Sequence, residues 1–524
     1  MHTTVNSRIF HIQTFGCQMN ASDSDWLSRS LKSRGFMEGP FEEAGLHILN
    51  TCSVRDKPEQ KVYSELGRIA RFCKVNKRKG VTVCVGGCVA QQVGPALVRR
   101  FPQVRLLFGT DGIARAPEAI CRLTEEPGLR LQLLDFADNY EERIDERIDG
   151  PSQGISGPLR DEGTPPAVFV NIMQGCDNFC TYCIVPYVRG RQKSRRAEAV
   201  LRECRALLDS GAREITLLGQ NVNSYGQDKH ADGSSFADLL YKVSALPGLE
   251  RLRFVTPHPK DIAPEVIEAF AEIKSLCPRL HLPLQSGSDR ILHAMNRRYD
   301  TAKYLDIVER LKKARPDIIL STDIIVGFPG ETEEDFQDTM RIMREAGFAT
   351  SFSFVYSDRP HAKATLLSGK VPRAVALERL SRLQDWQNQT SDRVLEGMVK
   401  KESVVLLESK SRWNVVLDED YDASNQSNSS ARSSGGSTGP RSDDGTDEAG
   451  NTSPAVGKPA SRRNSLLYGS WQGKTPEGFI VNVNLPSEPD ITTLTRGWEG
   501  AMLPVRIEAA ARHSLKGSQA GAPW

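Results

Sequence analysis

The sequence predicts an α/β protein in three parts: an N-terminal doubly wound parallel-sheet domain, a central incomplete (β/α)6 barrel and a small C-terminal β unit. Three observations carry this reading. Short β-branched runs alternate with helical stretches over residues 8–100 and again over 168–356, the rhythm of parallel strands wound with helices. Beyond residue 396 that rhythm gives way to short strands without intervening helices. The chain, at 524 residues, is also too long for one ordinary core. Its 26% charged and 39% hydrophobic content is that of a soluble globular protein.

In the first domain, residues 1–115, strands are expected at 8–12, 46–49 and 81–85, and helices at 22–34, 58–75 and 95–100. Cys17, Cys52 and Cys88 each fall just past the carboxyl end of one of these strands. That edge is where open α/β sheets bind ligands, so three thiols distant in sequence are expected to converge. Residues 116–164 turn polar, acidic and Gly/Pro-rich and read as a linker.

The second domain, residues 165–395, carries strands at 168–173, 214–218, 251–255, 279–282, 320–326 and 350–356. Helices are expected at 197–208, 236–245, 264–273, 304–315 and 333–346. In βα barrels chemistry gathers at the carboxyl ends of the strands. The polar or turn-forming residues there are Gln220, Asn221, Thr256, His258, Gln285, Ser286, Gly327 and Pro329. The third part, residues 396–515, has strands at 404–407, 415–417, 480–483 and 503–507. Within it, residues 418–460 are almost all Ser, Asn, Gly, Asp and Thr, a composition that cannot bury a core and is expected to be disordered.

The most specific signal is Cys176-x3-Cys180-x2-Cys183, directly after the first barrel strand. Thiolates suit iron–sulfur clusters and zinc. Zinc sites usually pair C-x2-C with a second pair of ligands, and none follows nearby. Three thiolates on a four-iron cluster leave one iron open to chelate a small molecule. Three unpaired core cysteines at this spacing, between Gly175 and Pro186, are the poorer reading.

Of the other cysteines, Cys84 alternates within its strand and reads as buried and apolar, whereas Cys88 follows Gly86-Gly87 and has the loop freedom of a ligand. The basic run from Arg189 to Arg196 reads either as a solvated helix entry or as a phosphate contact for a polyanion. Gly327 to Thr332 reads as a strand-to-helix turn with Thr332 or Glu331 near the cap, or as a wall of a nucleotide pocket. His258, between two prolines, reads as a pocket wall rather than a metal ligand.

The net charge of +2 excludes a uniformly basic nucleic-acid binder, so RNA contact would come from local patches. No signal-peptide pattern opens the sequence, and its most apolar stretch is broken by Gly86, Gly87, Gln91 and Gln92, so no membrane span is expected. Eleven cysteines without an export signal indicate a reducing compartment, and a cytoplasmic location is expected.

These motifs resemble the methylthiotransferases of the radical S-adenosylmethionine (SAM) class. The matching residues run from Thr14 through Cys17 to Asn20, from Asn50 through Cys52 to Arg55, and from Gly86 through Cys88 to Gln91. In the barrel they are Gly175 to Gly190, Leu282 to Ser288 and Ser321 to Thr332. The resemblance covers nearly all the chain apart from the linker and the Ser-rich insert. It implies two [4Fe-4S] clusters, one on Cys17, Cys52 and Cys88 and one, which chelates SAM, on Cys176, Cys180 and Cys183. It also implies SAM contacts from Tyr182, the aromatic usual in that motif, and from Gln220, Asn221, Gln285, Gly327 and Pro329. No side chain is implied in catalysis beyond the cluster ligands. The C-terminal unit resembles a TRAM domain, a small RNA-binding β-barrel. One departure stands out: members commonly read Arg-Pro-Gly-Thr where this chain has Arg359-Pro360-His361-Ala362.

The implied reaction adds a methylthio group to C2 of an isopentenylated adenosine beside the tRNA anticodon, with SAM as radical source and methyl donor. Its partners are the tRNA anticodon loop, an electron donor such as flavodoxin or ferredoxin, and a sulfur donor, with no membrane. Relatives with the same chemistry act on threonylcarbamoyladenosine in tRNA or on an aspartate of a ribosomal protein. The run from Arg55 to Gln60 and on to Arg68 favours the isopentenyladenosine type. A structural-zinc RNA-binding protein is the alternative of another class, and it lacks a fourth ligand near either cysteine set.

Overall fold

The computed structural model describes residues 6–53, 58–143, 164–411, 468–486 and 495–524. Arg55, the strand expected at 415–417 and the insert at 418–460 lie outside the described residues.

The first domain contains β1 (Ile9–Thr14), β2 (Met37–Glu38), β3 (Leu46–Thr51), β4 (Thr82–Gly87), β5 (Val104–Phe108) and β6 (Leu131–Leu133). All pair in parallel, in the order β2-β1-β3-β4-β5-β6. Every residue of β3 and β4 is buried, as central strands covered on both faces require. The helix Gln18–Ser33 starts directly after Cys17 and buries Met19, Trp26, Leu27 and Leu31. The chain reverses its winding between β1 and β3, which is the switch point where such sheets take ligands. Cys17 follows β1, Cys52 follows β3 and Cys88 follows β4.

This domain extends further than the composition indicated. Within the expected linker, 116–164, the helix Ala116–Glu125 and strand β6 complete the sheet. Ala116, Ala119, Ile120 and Leu123 lie in the same core as Phe10, Leu27 and Phe108. Acidic flanking sequence masked this apolar helical stripe.

The barrel strands are β7 (Ala167–Asn171), β10 (Glu214–Leu218), β11 (Arg251–Phe254), β12 (Arg279–His281), β13 (Ile319–Val326) and β14 (Thr350–Val355), with the short hairpin β8 (Met173–Gln174) and β9 (Lys193–Ser194) after β7. They form two parallel sheets, β11-β10-β7 and β12-β13-β14, joined by a bridge from Leu252 to Leu276. The barrel is therefore incomplete, as expected. Alternate residues, among them Val170, Leu217, Leu252, Leu280, Leu320 and Ile324, point outward into one core with the surrounding helices. The intervening residues face the lumen.

The third part contains β15 (Glu402–Lys410), β16 (Tyr468–Lys474), β17 (Ile480–Pro486), β18 (Thr495–Trp498), β19 (Met502–Ala511) and β20 (Ser514–Gln519). Strands β15-β16-β17-β20-β19 close into a barrel around Val405, Trp471, Val483 and Val505. β15 pairs directly with β16, so the Ser-rich insert joins two neighbouring strands. The unit runs past residue 515, because Trp524 exchanges backbone hydrogen bonds with Met502.

This small barrel seals the floor of the large one. Arg253 donates to the carbonyls of Pro476 (2.8 Å) and Thr475 (3.0 Å), and Arg279 to that of Glu477 (2.9 Å). Arg251 reaches the carbonyls of Lys474 (2.7 Å) and Val404 (2.6 Å). Glu214 pairs with Arg253 at 2.9 Å and fixes the guanidinium. No helix among the described residues is long and apolar enough to cross a membrane.

Candidate active site between two domains

Three elements of the N-terminal sheet bring the first cysteine trio together. Cys17 occupies the N-cap of a 16-residue helix, where the helix dipole favours a thiolate. Gly16, at φ +109, lies so close to Cys52 that a Cβ there would fall on the Cys52 side chain. Gly87, at φ +86, presses against the Thr51 carbonyl and delivers Cys88 to the same edge. The Cys17 thiol is pulled down to about 6, chiefly by the Cys52 thiol within hydrogen-bonding reach, against burial and with help from Arg189.

A polar frame holds these loops. Asn50 Nδ2 donates to the Asn20 carbonyl (2.9 Å) and Ser24 Oγ (3.0 Å), and Thr14 Oγ1 donates to Ser24 Oγ at 2.7 Å. Thr51 Oγ1 donates to the Gly86 carbonyl and accepts from Val89 N–H. The motif residues flanking each cysteine are thus the ones that lock its loop. Cys84 is buried in the apolar core with Phe10, Leu27 and Phe108, as its alternation predicts.

The second trio sits on the loop after β7. Gly175 N–H donates to Gln220 Oε1 at 2.5 Å, and a Cβ on Gly175 would strike the Arg191 carbonyl. Thr181 N–H donates to the Met295 carbonyl (3.0 Å), and Asn296 Nδ2 to the carbonyls of Asn178 (3.2 Å) and Phe179 (3.1 Å). Burial pushes the Cys176 thiol up to about 11 and the Cys183 thiol up to about 12. Such buried thiols stay neutral until a metal displaces their protons. Arg297, itself buried, lies 3.5 Å from Cys180 Sγ and 3.4 Å from Tyr182 Oη. His258 Nε2 lies 3.9 Å from Cys180 Sγ, and burial, with Arg297 beside it, holds the ring neutral.

The two trios are neighbours. Cys88 packs with Ile184 and Val188 in one buried cluster, and Ile184 is the residue after Cys183. Arg189 spans the same gap: its Nη2 donates to Asn20 Oδ1 at 3.0 Å, and Asp23 lies 3.9 Å away. Its guanidinium faces the thiols of Cys88 and Cys17, while Nη1 is buried with no hydrogen-bond partner among the described residues. A buried guanidinium beside the Cys17 and Cys88 thiols suits an anionic group between them, as a thiolate-ligated cluster would be. No group of three or more His, Cys, Asp or Glu among the described residues is arranged to hold a single metal ion. Mononuclear zinc draws four ligands to one centre, whereas a four-iron cage takes one thiolate per iron. Each trio offers the three thiols that such a cage would take.

The basic run behaves differently from a phosphate-binding surface. Lys193 is buried against Asp111, and Arg195 pairs with Glu203 (2.5 Å) and Glu142 (2.8 Å). Only Arg191 and Arg196 of its cations are exposed, and Arg191 pairs with Asp177 at 2.7 Å. Burial of the charged ends between domains was invisible to a reading by composition. The run clamps the N-terminal sheet to the barrel, assisted by Thr110 Oγ1 donating to the Val188 carbonyl at 2.9 Å. Arg143 joins the same interface through Asp23 at 2.5 Å.

The remaining expected residues surround the second trio. Gln220 supports the cysteine loop as described, and Asn221 Nδ2 donates to Asp261 at 2.7 Å while its Oδ1 accepts from His258 N–H. Gln285, at φ +73, continues the edge of β13, its N–H donating to the Asp323 carbonyl at 2.8 Å. The turn from Gly327 through Pro329 places Phe328 in the apolar cluster against which Tyr182 packs, and Thr332 and Asp335 cap the next helix reciprocally. His361 adopts φ +67, a conformation natural to the glycine of related sequences, and its ring packs on Tyr187 with centroids 5.8 Å apart. Sequence reasoning missed Arg297, Asn20 and Asp23. Asn20 lies in a quoted motif, but nothing distinguishes Arg297 from its neighbour Arg298.

A cavity of about 590 Å³ lies along the domain interface, lined by Thr14, Ser24, Arg29 and Lys32 on one side and Val168 and Phe169 on the other. None of the six cysteines lines it.

Comparison with known proteins agrees with this architecture. Residues 170–343 match the model of the radical SAM superfamily, and residues 9–109 match that of an uncharacterized protein family, UPF0004. A tRNA-2-methylthio-N(6)-dimethylallyladenosine synthase of Nitratidesulfovibrio vulgaris is 55% identical over 520 residues, covering 99% of this chain and 100% of the relative. The synthase of Oleidesulfovibrio alaskensis is 54% identical over 517 residues, 99% of each chain. That of Geobacter metallireducens is 48% identical over 77% of this chain and 88% of its own. Among solved structures, the radical SAM methyltransferase TsrM of Kitasatospora setae aligns with a TM-score of 0.48 at 15% identity, over 78% of this chain and 79% of that one.

The barrel and its cysteine loop thus define a radical SAM protein. Near-complete alignment at this identity places it further: the chain belongs to the family of tRNA-2-methylthio-N(6)-dimethylallyladenosine synthases.

Proposed function

We propose that this chain methylthiolates C2 of N6-isopentenyladenosine beside the anticodon of tRNA, using SAM both as radical source and as methyl donor. The observation that carries it is the packing of Cys88 on Ile184, which sets two thiol trios from different domains against each other. In this reading Cys176, Cys180 and Cys183 hold the SAM-chelating [4Fe-4S] cluster, and Cys17, Cys52 and Cys88 hold a second one. Bound there, these groups supply the hydrogen-abstracting radical, the inserted sulfur and its methyl group. The C–H bond at C2 is beyond any side-chain base, so the protein's task is placement and exclusion of water.

The residues are suited to that task. Arg297 and Arg189 offset the negative charge of the thiolates, one at each trio. Tyr182, packed against the cluster that holds Phe328, walls the SAM pocket in this reading, with Gln285, Gly327 and Pro329. Gln220 and Asn221 act through the loops they hold. The anticodon loop is single-stranded, so extruding its base costs little compared with a duplex. A reductant such as flavodoxin or ferredoxin and a sulfur donor complete the reaction in the cytoplasm.

The test is anaerobic iron and sulfide counting on the wild type and on the triple variant Cys17→Ala/Cys52→Ala/Cys88→Ala. The variant should keep about half the iron, as expected when one of two equal clusters is lost, and still cleave SAM, but form no methylthio product on isopentenylated RNA. Full iron retention would overturn the N-terminal assignment. Product on threonylcarbamoyladenosine RNA alone would overturn the substrate.

A further inference from the structure

The lumen of the large barrel carries a polar and aromatic cluster that none of the roles above uses. On β12, Leu280 points outward into the helical core, so Arg279 and His281 face inward. On β13, Leu320 and Ile324 point outward, leaving Ser321, Asp323 and Ile325 inward. The edge strand β14 aligns Phe352 opposite Asp323 and Phe354 opposite Ile325.

His281 is held at both ring nitrogens, by Ser321 Oγ at 3.1 Å from Nδ1 and Asp323 Oδ2 at 3.3 Å from Nε2. Its ring meets Phe352 edge-on, with centroids 5.9 Å apart. Both phenylalanines are more than half exposed, 56% and 52%, although they belong to a strand inside a folded barrel. The Asp323 carboxylate meets His281 through Oδ2, and its side chain is 32% exposed. Below, the floor is sealed by Arg253 and Arg279 on the C-terminal domain, Arg279 lying about 7 Å from His281 along the strand. Above, Gln285 N–H bonds the Asp323 carbonyl, at the rim that carries the cysteine loop.

This is a chamber with a closed floor, one fixed anionic acceptor and two bare aromatic faces. A flat heterocycle with a single exocyclic N–H and an uncharged apolar substituent satisfies all three. N6-isopentenyladenine is such a group. Its N6–H suits a carboxylate, and its ring and alkyl chain suit Phe352 and Phe354. A threonylcarbamoyl substituent carries its own carboxylate, which Asp323 would repel.

We propose that Asp323, Phe352 and Phe354 receive the target base in the barrel lumen and select an apolar N6 substituent over an anionic one, with His281 as the residue that positions Asp323. This rests on the function proposed above, and the two fail in different experiments. Repulsion by Asp323 acts on the wrong substrate, while the aromatic faces act on the right one.

The experiment uses anaerobic holoenzyme and anticodon stem-loops bearing unmodified, isopentenylated or threonylcarbamoylated adenosine. Affinity is read by fluorescence anisotropy, together with kcat and KM. Wild type should prefer the isopentenylated RNA. Phe352→Ala/Phe354→Ala should raise its KM roughly tenfold or more and erase the preference over unmodified RNA, with affinity for unmodified RNA unchanged. Asp323→Asn should narrow the discrimination against threonylcarbamoylated RNA by roughly tenfold or more. His281→Gln, which can still donate to Asp323, should retain more discrimination than His281→Leu.

Wild type inactive on isopentenylated RNA would defeat the functional reading itself. Active wild type, with the preference intact in both the aromatic and Asp323 variants, would defeat the lumen assignment alone. So would an Asp323→Asn effect confined to SAM affinity. If the double alanine variant loses SAM binding and hence its fold, Phe352→Leu/Phe354→Leu and Asp323→Asn decide the question.

Discussion

Arg189 Nη2 donates to Asn20 Oδ1 at 3.0 Å, linking the loop after one cysteine trio to the helix begun by a member of the other. Both side chains are buried. The bond spans two domains and lies between two sites that must act on one base, so the spacing of those sites depends on it.

Arg189→Met should therefore damage the N-terminal trio selectively. It removes a hydrogen bond to a buried amide and a cation near Asp23 and Cys88. Asp23 keeps Arg143, so the cost is expected at about 2–4 kcal/mol rather than that of a fully stranded charge. Iron counting should show loss from the first site with retained SAM cleavage, and thermal unfolding should begin earlier. Arg189→Lys should restore little, because one ammonium cannot reproduce the planar fork.

Gly16→Ala tests the same site through the backbone. The residue sits at φ +109, and an added methyl would occupy the space of the Cys52 side chain. Strain of about 1–3 kcal/mol is the smaller effect; displacement of Cys52 is the larger one. The variant should fold, lose the N-terminal iron and keep that on Cys176, Cys180 and Cys183. Electron paramagnetic resonance of the reduced protein, with its signals assigned from single-site variants, would separate the two.

The parallel strands and the Cys176, Cys180 and Cys183 spacing are legible from local chemistry, whereas the meeting of Cys17, Cys52 and Cys88 is legible only from the topology that puts each after a strand. Strand Glu214–Leu218 and helices Pro58–Val75 and Glu333–Ala346 begin and end where their apolar runs and caps do. Cys88 was separable from Cys84 because two glycines release one while alternation buries the other. What stayed hidden depends on contacts between distant segments. Lys193 and Arg195 look solvated until Asp111, Glu142 and Glu203 close on them. Arg297 gains meaning only beside Cys180, and the helix Ala116–Glu125 only when Phe10 and Phe108 lie under its apolar face.

Arg253→Ala should loosen the floor of the barrel without touching the cysteine loops. It would take a donor from the Pro476 carbonyl, leave the Thr475 carbonyl to Gly478 N–H at 2.9 Å, and leave Glu214 with the longer contact to Arg251, at 3.8 Å. A loss of about 2–4 kcal/mol in docking of the C-terminal barrel is expected. Hydrogen exchange should accelerate across residues 474–479 and remain unchanged in the N-terminal sheet. Equal protection in variant and wild type would mean the floor is held by packing alone.

His47 makes the fold sensitive to mild acid. It is fully buried on β3, and neither ring nitrogen has a hydrogen-bond partner among the described residues. Burial first, then His11, Arg78 and Arg68, push its pKa down to about 4 from 6.5. Between those values the unfolded chain binds a proton that the folded one refuses, so stability rises with pH across the window. Nothing is lost above pH 6.5; as pH falls toward 4 the cost grows to at most ~3 kcal/mol. His47→Phe forfeits no hydrogen bond and adds a ring beside Phe41, whose centroid is 4.7 Å from that of His47. Thermal midpoints of wild type and variant should converge with neither gaining near pH 7.5, once a constant offset is removed, and diverge below pH 6 in favour of the variant. Parallel pH profiles would show that His47 protonates within the folded protein at no cost, with His11 or solvent accommodating the charge.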